Sequence, residues 1–210
     1  DVRNSGVEQH YRSVRGISGV FADLTSPAKQ VETIQAVVDR LGGIDILVCD
    51  FPVYPESPIS EPGDALDKLL GRRADLTLAI CNAALPHLQK SPAGRIINIG
   101  FLRSVFAADG KESLRKAEAN LADITRALAA ESGDFGITAN YVQPGAIMTP
   151  VSREVFRKHK GLRDYCIANS AARRLGEPVD VAKVVLFLAT DESMFVNGTG
   201  IVVDGGRTDV

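Results

Sequence analysis

Short apolar runs separated by helix-patterned stretches constrain this chain more than any other feature. SGVFA at 18–22, IDILVC at 44–49, RIINI at 95–99, 137–142 and 201–203 read as strands. Between them, Ile34, Val37, Val38 and Leu41 recur at helical spacing, opened by Thr25-Ser26-Pro27 and stopped by Gly42-Gly43. Longer helical patterns cover about 65–87, 112–131 and 180–189. Strands that alternate with helices form βαβ units, and strands buried on both faces are apolar without alternation. The expected fold class is therefore α/β, a doubly wound, Rossmann-like parallel sheet in a single domain over 1–210. The stretch 151–174, amphipathic and basic, is expected to be an irregular, variable lobe at the carboxyl ends of the strands, where ligands bind in such folds.

Composition narrows the function. With 24 Lys+Arg against 26 Asp+Glu, the net charge of −2 argues against a nucleic-acid footprint or a polybasic membrane patch. The hydrophobic content of 45% excludes general disorder. Cys49, Cys81 and Cys166 are odd in number and far apart, which fits buried thiols in a cytoplasmic protein. They form no zinc pattern, and no metal site is expected. No apolar run reaches the length of a membrane span. The three histidines lack a nucleophile and carboxylate at recognisable spacing, and Arg153, Arg157, Lys158 and Lys160 read as a solvated basic face.

Several stretches, in order, are similar to the short-chain dehydrogenase/reductase family. They include Asp23-Leu24-Thr25, Ile44–Val48, Ala84–Leu88, Gly94–Ile99, Thr125–Ala129, Asn140–Gly145, Arg174–Pro178 and the glycine-bounded finish from Asn197 to Gly206. The resemblance implies NAD(P)-dependent oxidoreduction through a Tyr proton donor, a Lys four residues on, a Ser and an Asn. Carried over without gaps, those positions hold Leu114, Glu118, Phe101 and Arg73. Cys49-Asp50-Phe51-Pro52 replaces the family's Asn-Asn-Ala-Gly. Recruiting Lys116 instead needs a two-residue gap, which turns the helix by roughly 200° and buries the wrong face. A leucine carries no proton, so no catalytic residue is assigned and usual hydride transfer is not expected. Arg73 and Glu118 are expected to form an ion pair, with Phe101 and Leu114 packed around it.

The family's opening strand, Gly-rich turn and helix are not found in the chain, and Asp1 resembles the acidic residue ending the second strand. The first strand or strands of the sheet are therefore expected to be missing. Either the sequence is a piece of a longer product, or the sheet closes without them, and strand 18–22 then pairs beside strand 44–49. No cofactor is expected for this chain, and NAD(P) only if the Gly-rich loop lies upstream. Asp23, Pro144, Gly145, Ile147 and Thr149 match the family's cofactor shelf and are taken as vestigial, since Pro-Gly also makes a tight turn and Asp23 also caps one.

Three functions follow from the resemblance. The first is a non-catalytic or structural subunit of a homo- or hetero-oligomer built through helices 64–90 and 112–131, with a catalytically active relative as a candidate partner. The second is a non-redox enzyme of the halohydrin-dehalogenase kind, using Asp50, Tyr54, Glu118 or Arg73. The third is a divergent NAD(P)-dependent oxidoreductase.

Overall fold

The computed structural model describes residues 14–20, 22–51, 64–107 and 110–206. Helix α1 (Pro27–Leu41) starts where the sequence places it. Ser26 accepts a hydrogen bond from the Lys29 amide, and Pro27 occupies the first turn. It ends at Gly42, whose φ of 86° suits only a residue without a Cβ and whose N–H reaches Val38 O at 2.8 Å. Strand β1 (Ile46–Cys49), helix α2 (Asp64–Leu88), strand β2 (Arg95–Ile99) and helix α3 (Lys111–Ser132) follow. Strand β3 (Thr138–Pro144), short helices α4 (Pro150–Lys158) and α5 (Lys160–Ala168), helix α6 (Pro178–Ala189) and strand β4 (Gly200–Val203) complete the order.

The strands pair in parallel in the order β1-β2-β3-β4, with Ile46 opposite Arg95, Arg95 opposite Thr138, and Tyr141 opposite Gly200. Side-chain alternation sends neighbouring residues to opposite faces. Ile96 joins Leu88, Leu128 and Ala139 in one cluster beneath α1, α2 and α3. Ile97 joins Val142 and Leu188 in another beneath α6. Helices thus cover both faces, as expected of a doubly wound sheet. Their cover is unequal among the described residues: Ile46 and Val48 on β1 remain 45% exposed.

Two expectations are corrected. Residues 17–20 and 22–24 are not a strand, and β1 pairs with β2 alone among the described residues. Ser18 instead meets α1, its hydroxyl accepting a hydrogen bond from Arg40 Nε at 3.0 Å. The stretch 151–174 is largely helical rather than irregular. Thr149 and Ser152 cap α4 reciprocally, and Phe156 and Cys166 bury one side of α4 and α5 against Phe106.

Candidate active-site pocket

The carboxyl ends of β1, β2 and β3 open toward the first two turns of α3 and a middle turn of α2. Leu114 and Glu118 are four residues apart and therefore share one face of α3. They meet Arg73 of α2, Phe101 after β2 and Gln143 near the end of β3 around a single cavity of about 30 Å³. All four positions that the family resemblance singles out thus converge on one place. Lys116 does not join them. Its ammonium lies 3.8 Å from Asp67 with the side chain 64% exposed, in keeping with the gap-free helical phase.

The charged groups at this cavity are committed to the chain itself. Arg73 Nε donates to the Phe51 carbonyl at 2.6 Å and Nη2 to the Ile99 carbonyl at 2.8 Å. The guanidinium therefore bridges the exits of β1 and β2. Asp50, well exposed, lies 3.6 Å from the same Nη2. Burial lowers the Arg73 pKa, the Asp50 charge opposes this, and an arginine stays protonated regardless. Glu118 accepts the Ser104 backbone N–H at 2.6 Å and its hydroxyl at 3.3 Å, holding the start of the short turn Ser104–Phe106. The expected Arg73–Glu118 ion pair does not form, because backbone groups at the strand ends and at Ser104 take up both side chains first. Leu114, 4% exposed, packs with Leu70 and Ala107. Phe101 lines the rim at 37% exposure rather than packing around an ion pair.

Sequence reasoning passed over Gln143 and Ser104 as site residues. Gln143 Nε2 donates to the Phe101 carbonyl, and its buried Oε1 has no partner. Gly100 permits this, since a Cβ there would collide with the Gln143 amide. The adjacency of Gly100 and Phe101 in the chain was visible, but their closeness to Gln143 comes from β2–β3 pairing. The space between these side chains has room for water. Tyr54 lies outside the described residues, as do Asp1 and the remainder of the loop from 52 to 63.

The five shelf residues are likewise occupied. Asp23 Oδ1 accepts from the Thr25 amide at 3.1 Å and the Thr25 hydroxyl at 2.6 Å. Pro144 ends β3, and its carbonyl accepts from the Arg103 amide at 3.1 Å. Arg103 also pairs with the buried Asp204 carboxylate. Gly145 donates to the Val203 carbonyl at 2.9 Å, and a Cβ there would lie 2.6 Å from Asp204 Cβ. Ile147 bridges Gly176, while Thr149 and Ser152 exchange cap bonds at 3.1 and 2.7 Å. A dinucleotide cradle needs free amides at a glycine-rich helix start and an open approach to the backbone. The described shelf residues form no such helix start; their hydrogen bonds are those of a strand exit, a turn and a helix cap.

Comparison with known proteins agrees with this architecture. Residues 4–208 match the family described as Enoyl-(Acyl carrier protein) reductase. The chain is 34% identical over 206 residues to the (2S)-[(R)-hydroxy(phenyl)methyl]succinyl-CoA dehydrogenase subunit BbsD of Thauera aromatica, covering 93% of this chain and 79% of that protein. It superposes on a short-chain dehydrogenase/reductase (glucose/ribitol dehydrogenase) of Brucella melitensis with a TM-score of 0.81 at 27% identity, covering 98% of this chain and 83% of the other. A structure described as ElxO with NADP bound gives 0.80 at 25% identity, covering 96% and 82%. Among the described residues, no helix is long and apolar enough to cross a membrane.

Proposed function

This chain belongs to the short-chain dehydrogenase/reductase family, whose curated relatives are oxidoreductases, and we propose that its own proton-relay pocket is closed from within. On this reading the protein is a non-catalytic subunit of an oligomer of its fold, assembled through α2 and α3. The observation that carries it is the pocket itself. Leu114 stands buried where a proton donor is needed, and the flanking charges of Arg73 and Glu118 hold backbone groups instead of solvent or substrate. The space between them is small, about 30 Å³. The name of the relative from Thauera aromatica, a dehydrogenase subunit, supports a subunit role for a chain so similar to it. The stretch 151–174, with its two short helices, then serves as a packed lobe rather than a substrate lid.

Titration of the full chain with NAD(H) and NADP(H), followed by thermal unfolding, tests the reading. A cofactor bound at 100 times its Kd stabilises the folded state by about 2.7 kcal/mol, which a melting curve resolves readily. The expected outcome is an unchanged Tm with either nucleotide, no turnover of ketone or alcohol panels, and a mass in solution above that of one chain. A saturable Tm rise with turnover overturns it. The NADP-bound neighbour favours a second reading, a divergent oxidoreductase with an unusual proton donor, which the same titration separates from the first.

A further inference from the structure

Cys49 and Cys81 lie in the core with their sulfurs 4.0 Å apart, one at the end of β1 and the other on α2. Cys81 Sγ donates to Asn98 Oδ1 at 3.6 Å, and the Asn98 Nδ2 beside it is buried without a partner. Arg73, Thr77 and Cys81 recur every four residues on one stripe of α2. The first two line the water-sized cavity, which therefore comes within one helical turn of the dithiol. The Arg73 charge also acts on Cys49.

We propose that Cys49 and Cys81 are a modification site, a dithiol that peroxide oxidises to a disulfide fastening the end of β1 to α2. The inference is independent of whether the protein turns over a substrate. The Cys49 sulfur, as thiolate, attacks one peroxide oxygen. The O–O bond breaks, and the departing hydroxide takes up the thiol proton as water, leaving a sulfenic acid. The Cys81 sulfur then attacks the Cys49 sulfur, an S–S bond replaces S–O, and the second hydroxide leaves with the Cys81 proton as water. Two thiols lose two electrons to one peroxide. The shared thiol hydrogen bond and burial both push the Cys49 pKa up, so the reaction answers sustained rather than brief exposure. Cys166, equally buried, donates only to the Phe106 carbonyl and has no second thiol near it.

The test treats the native full chain with hydrogen peroxide, alkylates all remaining thiols after unfolding, and maps the peptides by mass spectrometry. Oxidation of Met194, 67% exposed, reports that the dose was sufficient. The expected product has lost two hydrogens, links the Cys49 and Cys81 peptides, and leaves Cys166 alkylated. The link persists in Cys166→Ser and disappears in Cys49→Ser. Full alkylation of Cys49 and Cys81 under a dose that oxidises Met194 overturns the proposal, as does a link through Cys166 or over-oxidation of either thiol without a link. Because the wild-type chain alone decides the outcome, a variant that folds poorly does not rescue or sink it.

Discussion

The pocket at Arg73, Phe101, Leu114 and Glu118 and the shelf from Pro144 to Thr149 lie at the same end of one sheet, yet they diverge in opposite ways. On the gap-free family register the pocket holds none of the relay residues that the resemblance implies, and its four positions converge on one cavity. The shelf residues are those that the resemblance matches to the family, and each of them is engaged within the fold. Retained letters are thus no proof of a retained ligand. Pro-Gly satisfies a tight strand exit, and threonine caps a helix, whether or not a nucleotide is bound.

Substitutions sharpen this contrast. The largest effect is expected from Leu114→Ala, which should cost about 3 kcal/mol in urea unfolding, as for a leucine packed in a core. A change near zero would return the pocket to the status of an open site. Arg73→Met should follow at about 2 kcal/mol, because the Phe51 and Ile99 carbonyls lose a charged donor. A neutral outcome would mean that water replaces the guanidinium freely. On the shelf, Thr149→Val should cost about 1 kcal/mol through the lost cap of α4, with no change in nucleotide response. If it altered nucleotide affinity, the shelf would be a binding surface after all.

The smallest effect concerns acid stability beside the shelf. Asp180, at the start of α6, is held down to about 2 by its hydrogen bonds with Arg174 and the Glu177 amide. Since the folded chain binds this proton less readily than the unfolded one, the stabilisation is complete above about pH 4. It is lost as pH falls through about 2. Asp180→Asn should therefore flatten the unfolding profile in that window, lowering stability modestly above about pH 4 and leaving it little changed near pH 2.

Much of this was legible beforehand. The apolar run at 95–99 is β2 residue for residue, and Ser26-Pro27 with Gly42 bounds α1. The caps of α4 went unread because Thr149 and Ser152 act three residues apart in a segment whose exposed valines and charges mask a helical period. The supposed strand at 18–22 failed for a different reason. Apolar composition makes a strand possible but does not by itself bring the segment to the edge of β1, and Ser18 meets Arg40 of α1 instead.

Sequence alone determined the α/β class and the strand order's raw material, because periodicity and local capping are set by neighbours in the chain, and the family resemblance pointed to the four positions. Only tertiary structure decided what those positions do. Arg73 and Glu118 were drawn as partners by opposite charge. The fold instead places unpaired backbone groups within closer reach of each, and a buried charge goes to the partners that satisfy its hydrogen bonds. Such competition depends on distances across β1, β2, α2 and α3, which no spacing along the chain encodes.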